Sequence, residues 1–211
     1  MKISLNNLRP EPIAEPFLLS SEIWANNITF PSGETVQVIA KSGQGKSTLL
    51  HVIYGLRTDY QGSCEIDNSN TKKLSENDWL HLRSTKLSLL FQDLRLFQNL
   101  TARENLELLP VIEPEAPSLN KMCEQLEVSH LLNRKIATLS LGQRQRFALI
   151  RSLRKPFKWL LLDEPFSHLD AEVSHAAAAL IQETIRVRDA GLILSSLETD
   201  GPMPCKLKLK L

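Results

Sequence analysis

The residues best suited to chemistry lie in one short run, VIAKSGQGKSTLL, at 38–50. Gly43 and Gly45 let the backbone turn so that successive N–H groups face a single point. A helix opening near Lys46 would aim the partial positive charge of its N-terminus at the same point. Ser42, Gly43, Gln44 and Gly45 then cradle a phosphate chain, with Lys46 neutralising the β- and γ-phosphates. The Ser47 hydroxyl is placed to ligate Mg²⁺, and Thr48 adds a hydroxyl toward the α-phosphate. The strict form of such a loop begins with glycine. Here Ala40 takes that place, at the end of a strand, where positive φ is not required and a methyl group is tolerable.

A second run, WLLLDEPFSHLD at 159–170, delivers two carboxylates from an apolar strand. Asp163 falls at the C-terminal edge of that strand, where ligands bind in open α/β sheets, and is placed to hold Mg²⁺ through water. Glu164 follows directly and is placed to orient and polarise an attacking water.

The elements that must position these residues are legible as patterns. Apolar runs at 35–40, 87–91, 159–162 and 192–195 predict strands, three of them too uniformly apolar for alternation and so suited to a parallel sheet covered on both faces. Helical patterns are expected at 46–56, 118–132, 141–155 and 171–188. Alternation of strand and helix predicts an α/β fold with a parallel-sheet core, N-terminal β elements and an inserted helical subdomain at about 93–135. The prolines of LPVIEPEAPS at 109–118 should end any helix there. The tail CKLKLKL reads as a short edge strand with its lysines in water.

Composition narrows the partners. With 211 residues, 42% hydrophobic and 23% charged, the chain suits one globular domain with a substantial core. A formal net charge of +1 gives no reason to expect nucleic acid or an anionic membrane surface. Cys64, Cys123 and Cys205 form no CxxC pair and read as idle thiols, and the five histidines show no ligand spacing. The first residues, MKISLNNLRPEPIAEPF, lack the apolar core of a signal peptide. No run approaches the roughly 18 apolar residues of a bilayer span, so action at a membrane would need a partner embedded in it. Arg144, Arg146, Arg151, Arg154 and Lys155 share a helical segment, and a solvated face is expected there rather than a nucleic-acid contact.

A third run, TLSLGQRQRFALIRSL at 138–153, resembles the signature segment of ABC ATPases, here Leu139-Ser140-Leu141-Gly142-Gln143 ahead of a basic helix. Ser140 can cap that helix, whose N-terminus then offers N–H groups to an anion. The resemblance runs in order along essentially the whole chain. It implies a P-loop NTPase fold, ATP and Mg²⁺ as ligands, and ATP hydrolysis with Glu164, Lys46 and Gln92 as the catalytic set. It places Ser47, Gln92 and Asp163 at the metal, Gln92 lying in LLFQDLRLFQNLTARENLELLP, which is similar to the family's Q-loop. Ser140, Gly142 and Gln143 would close over the γ-phosphate held by a second ATPase subunit, in a head-to-tail homodimer. SHLD at 167–170 resembles the loop that communicates between subunits. A separate transmembrane subunit and a cytoplasmic place on the inner face of the membrane are also implied. LTARENLELLP looks like that of the lipoprotein-release, macrolide-export and cell-division group.

Departures from the family pattern qualify this expectation. Leu141 stands where the family has its first glycine. The switch histidine is missing from GLILSSLETD, where Ser196 or Leu197 takes its place, so slow hydrolysis is expected. An ATP-dependent switch with little hydrolysis is the alternative. Pro12 or Ile13 stands where an aromatic would stack on adenine, with Phe17 the nearest aromatic. An ABC protein of chromosome maintenance would carry a long coiled coil between Gln92 and Thr138, and the stretch between them is too short for one.

Overall fold

The computed structural model describes residues 1–109, 112–113 and 117–211. Pro110 and Pro114 of the expected helix break lie outside that set. Five strands, β3 (Thr35–Ile39), β6 (Leu87–Leu90), β7 (Trp159–Asp163), β8 (Gly191–Ser196) and β9 (Leu207–Lys210), form a sheet in the order β6-β7-β8-β3-β9 with every pairing parallel. A second, antiparallel sheet has the order β2-β1-β4-β5, from β1 (Ile3–Pro10), β2 (Asn27–Phe30), β4 (Tyr60–Ile66) and β5 (Ser69–Asn70). The helices are α1 (Glu15–Ser20), α2 (Lys46–Ile53), α3 (Glu76–Thr85), α4 (Ala102–Glu107), α5 (Leu119–Gln125), α6 (Leu141–Arg154) and α7 (Ala171–Val187).

The unbroken apolar runs of β7 and β8 are explained by two separate cores. Leu160 and Leu162 of β7, with Leu192 and Leu194 of β8, face a cluster built by α4, α5, α6 and α7. Trp159, Leu161 and Ile193 point the other way, into a cluster shared with α2 and the antiparallel sheet. Both faces of each strand are therefore apolar, as a covered parallel sheet requires. The tail strand β9 sits at the sheet edge with Lys208 and Lys210 exposed and Leu209 buried, as its alternation predicts.

Several boundaries differ from the sequence patterns for local reasons. The first expected helix stops at Ile53, because Gly55 turns at φ 73° and the Trp79 ring occupies the space a Cβ would need. The pattern at 118–132 divides into α5 and a 3₁₀ turn, Ser129–Leu131, with Glu127 at φ 55° between them. Helix α1 was not legible as a periodic pattern. Its proline falls in the first turn, where the missing N–H costs nothing. All three thiols are free, Cys64 and Cys123 are buried, and burial pushes Cys64 up to about 12 and Cys123 and Cys205 to about 11, far from reactive thiolate values.

The basic residues of α6 do not form the expected solvated face. Arg151 donates to the carbonyls of Leu94 and Arg95, Arg154 to that of Leu106, and Arg146 to that of Leu126. Lys155 donates to the Leu87 carbonyl at 2.9 Å and the Tyr54 hydroxyl at 3.2 Å. Leu94 and Arg95 both have positive φ, 60° and 45°, so their turn leaves carbonyls that the helical or strand ladder does not use. The guanidinium fork of Arg151 satisfies both. A periodicity argument sees only that these cations share a helix; it cannot see that carbonyl ends from other elements converge on them.

Two expectations follow for stability. The Trp159 ring lies 2.6 Å from where a Cβ on Gly191 would sit, so Gly191→Ala should destabilise the fold by about 1–3 kcal/mol in urea unfolding. Burial lowers the Lys155 amine from its ordinary 10.5 to about 8. Between those values the unfolded chain holds a proton that the folded chain has released, so stability from this group rises as pH increases from 8 toward 10.5. Unfolding curves at pH 7.5 and 10 should show that gain in the parent and its loss in Lys155→Met.

Candidate functional site

The loop between β3 and α2 is built around its glycines. Gly43 has φ 82° and Gly45 φ 103°. A Cβ on Gly45 would stand 2.8 Å from Ile13 Cδ1 and 3.2 Å from the Trp24 ring, so both backbone angle and space exclude a side chain there. The Lys41 N–H donates to Gln44 Oε1 at 2.6 Å, closing the loop on itself, and Trp24 Nε1 donates to the Gln44 carbonyl at 3.4 Å. Ser42 and Gly43 are exposed at the tip. The N-cap of α2 is Gly45, with no capping side chain, which leaves the first N–H groups of α2 free for an anion. Ser47 and Thr48 follow in its first turn, half-buried.

Lys46 is buried, and its ammonium is held by the Ala40 carbonyl at 2.8 Å, the Lys41 carbonyl at 3.2 Å and Glu164 Oε1 at 3.1 Å. Ala40 itself fits as expected: it is buried, and its N–H donates to the Ser196 carbonyl at 3.2 Å. The Ser47 hydroxyl donates to Gln92 Oε1 at 3.3 Å. Ser47, Gln92 and Asp163 share one cleft of about 290 Å³ with His51, Phe91, Asp93 and Arg95. The structure thus brings together Lys46, Ser47, Gln92, Asp163 and Glu164 from three separate parts of the chain.

These residues fit a Mg²⁺ ion. Asp163 is 2% exposed; its Oδ1 accepts a hydrogen bond at 2.7 Å from Ser195, while its Oδ2 is buried with no protein partner. A buried carboxylate oxygen without a partner is costly unless something binds it. Among the described residues no group of three or more His, Cys, Asp or Glu forms a metal cage. Mg²⁺ binds through one or two protein groups with waters and substrate phosphates, and Asp163 with Ser47 and Gln92 in one cleft supplies such groups.

Two features of this site were missed from sequence. His51 lies one helical turn after Ser47 on α2 and lines the cleft, 5.9 Å from the Phe91 ring, and burial lowers its pKa below the ordinary histidine value. Its i+4 spacing from Ser47 was available as a signal. Ser195 is fully buried and lies across from Asp163 in the β7–β8 register, which sequence spacing alone does not reveal.

The signature segment forms a separate surface. Ser140 caps α6 through a reciprocal capping box with Gln143. No hydrogen bond among the described residues joins Ser140, Gly142 or Gln143 to the cradle of the same chain. Gly142 is instead packed against the loop at 167–170: a Cβ there would fall 2.6 Å from the His168 carbonyl. Leu141 is 41% exposed at the first turn. Gln145 ties the same helix to the exit of β7, donating to the carbonyls of Glu164 and Pro165 at 3.4 and 3.0 Å.

Two of the three departures noted earlier concern Ser196 or Leu197 and the segment around Ile13. Ser196 donates its hydroxyl to the Glu198 carbonyl, and Leu197 is 54% exposed, so neither position supplies an imidazole. Ile13 is buried against the loop, and Phe17 lies partly exposed on α1.

Comparison with known proteins identifies the family. Residues 25–167 match the family model described as ABC transporter. The chain is 37% identical to the sulfate/thiosulfate import ATP-binding protein CysA of Escherichia coli K12 over 156 residues, covering 70% of this chain and 41% of CysA. It thus spans about two-fifths of the length of that relative. It is 34% identical over 174 residues to the thiamine import ATP-binding protein ThiQ of Photorhabdus laumondii, covering 80% and 72% of the two chains. The dimeric structure of MJ0796, a bacterial ABC transporter cassette, superposes with a TM-score of 0.80 at 26% identity, covering 99% of this chain and 94% of that one. Another dimeric MJ0796 structure, in a post-hydrolysis state bound to ADP and Pi, gives a TM-score of 0.77 over 93% of this chain and 88% of that one. The names of CysA and ThiQ speak of import, not of the lipoprotein-release, macrolide-export and cell-division group. With the family match covering more than half of its length and the P-loop ATPase geometry in place, the chain belongs to the ABC transporter family of ATP-binding proteins.

Proposed function

We propose that this chain is an ATP-hydrolysing subunit that closes head-to-tail with a second copy around ATP and moves a separate transmembrane subunit. The observation that carries this reading is the convergence of Lys46, Ser47, Gln92, Asp163 and Glu164 at the C-terminal edge of the parallel sheet. In this assignment the ATPase core comprises 1–92 and 136–211, with a helical subdomain at 93–135. No helix of the described residues is long and apolar enough to cross a membrane. The chain would work from the inner face of the membrane through its partner.

The chemistry follows from the contacts. A triphosphate in the loop offers Lys46 more negative charge than a single carboxylate does. Lys46 then turns from Glu164 Oε1 to the β- and γ-phosphates, and the α2 N–H groups and Thr48 hold the phosphate chain. Glu164, released from Lys46, accepts a proton from the water that attacks the γ-phosphorus, and ADP and phosphate leave. Asp163 Oδ2, Ser47 Oγ and Gln92 Oε1 would hold Mg²⁺, which neutralises charge developing on the phosphate oxygens. Among the described residues no hydrogen bond ties Ser140, Gly142 or Gln143 to their own chain's cradle, which supports their acting on the nucleotide of a second subunit. With no histidine at Ser196 or Leu197, turnover should be slow. An ATP-dependent switch with little hydrolysis is the second reading, favoured by those same two positions.

Glu164→Gln should lower turnover by about 10²–10⁴-fold in a phosphate-release assay, and equal rates in parent and variant would favour the switch. The same variant with ATP should sediment as a dimer, whereas monomer alone, with and without the membrane partner, would contradict the two-chain site. Lys46→Ala should weaken ATP binding by about 10- to 100-fold by calorimetry, the loss expected for a charge-assisted contact.

A further inference from the structure

Ser195 is fully buried and is bonded to both carboxylate-bearing residues of the site. Its hydroxyl donates to Asp163 Oδ1 at 2.7 Å and accepts from the Glu164 N–H at 3.0 Å. The parallel register of β7 and β8 sets Ser195 directly beside Asp163, so the two side chains leave the sheet on the same face. One hydroxyl therefore spans two consecutive residues.

Its consequences differ for the two partners. For Asp163, the bond gives Oδ1 a partner and constrains the carboxylate, leaving Oδ2 as the oxygen without one. For Glu164, the bond anchors the backbone at φ 49°, an angle that a residue with a Cβ seldom adopts. That backbone angle sets the direction from which the Glu164 carboxylate reaches Lys46. We infer that Ser195 is the positioning residue of this site, aiming Asp163 Oδ2 at the divalent cation and holding Glu164 in its strained backbone conformation. Small apolar residues would fill the same space but supply neither bond, leaving Asp163 Oδ1 and the Glu164 N–H both buried and unpaired. The assignment rests on the ATPase reading for its effect on turnover, but not for its effect on cation binding.

The test titrates Mn²⁺ into the full chain with ATP present and follows free Mn²⁺ by electron paramagnetic resonance, beside Mg²⁺-dependent phosphate release. Ser195→Ala should weaken Mn²⁺ binding by about 10- to 100-fold, the range for removing a partner that orients a metal ligand. Ser195→Thr keeps the hydroxyl and should stay within about threefold of the parent. Ser195→Cys keeps the volume with a poor donor and should follow the alanine variant, which gives a second measurement if the alanine variant does not fold. Unchanged Mn²⁺ affinity in the alanine or cysteine variant, or an equal loss in the threonine variant, would overturn the assignment. Parent turnover no faster than that of Glu164→Gln would overturn the ATPase reading instead and leave the Mn²⁺ comparison valid.

Discussion

The parallel pairing of β3, β7 and β8 is the constraint on which the site depends. Hydrogen-bonded neighbours in that register end together, so the loop after Ile39, the Asp163–Glu164 pair and Ser195–Ser196 all emerge at one edge. The apolar side chains of β7 and β8 point into two cores at once, which locks the register against slippage: a one-residue shift would exchange residues between clusters of different shape. The Lys46–Glu164 contact sits at this same edge, beside strands buried on both faces.

Helix α6 is the second organising element, and its cations act inside the structure. Arg146, Arg151 and Arg154 each end on carbonyls of neighbouring segments, including the positive-φ turn just after Gln92. The same helix carries the signature residues at its N-terminus and reaches the exit of β7 through Gln145. One helix is thus bonded both to the turn after Gln92 and to the chain beside Glu164.

Lys46 and Glu164 illustrate how a site stays poised. Both are largely buried, and they meet at 3.1 Å. A buried ion pair of this kind contributes little net stability, because desolvation offsets most of the attraction. The Lys46 ammonium is held as well by the carbonyls of Ala40 and Lys41.

Much of the site was readable in sequence, because its members announce themselves by local spacing. The glycine positions, Lys46 with Ser47, the Asp163–Glu164 pair behind an apolar strand and the Ser140 cap all depend on residues within a few positions of each other. The main strands were legible for the same reason, to within a residue or so at their ends. What spacing could not supply was anything requiring two distant elements to meet. The solvated reading of the α6 cations failed because their acceptors come from β6, α4 and the segments after Gln92 and α5. Ser195 was invisible because its significance lies in facing Asp163 across strands 32 residues apart in the chain. Local patterns in the sequence by itself determined the chemistry that each segment can offer. The tertiary structure alone decided which polar groups are buried together, because desolvation and strand register, not sequence proximity, dictate which hydroxyl or guanidinium each carboxylate and carbonyl must find.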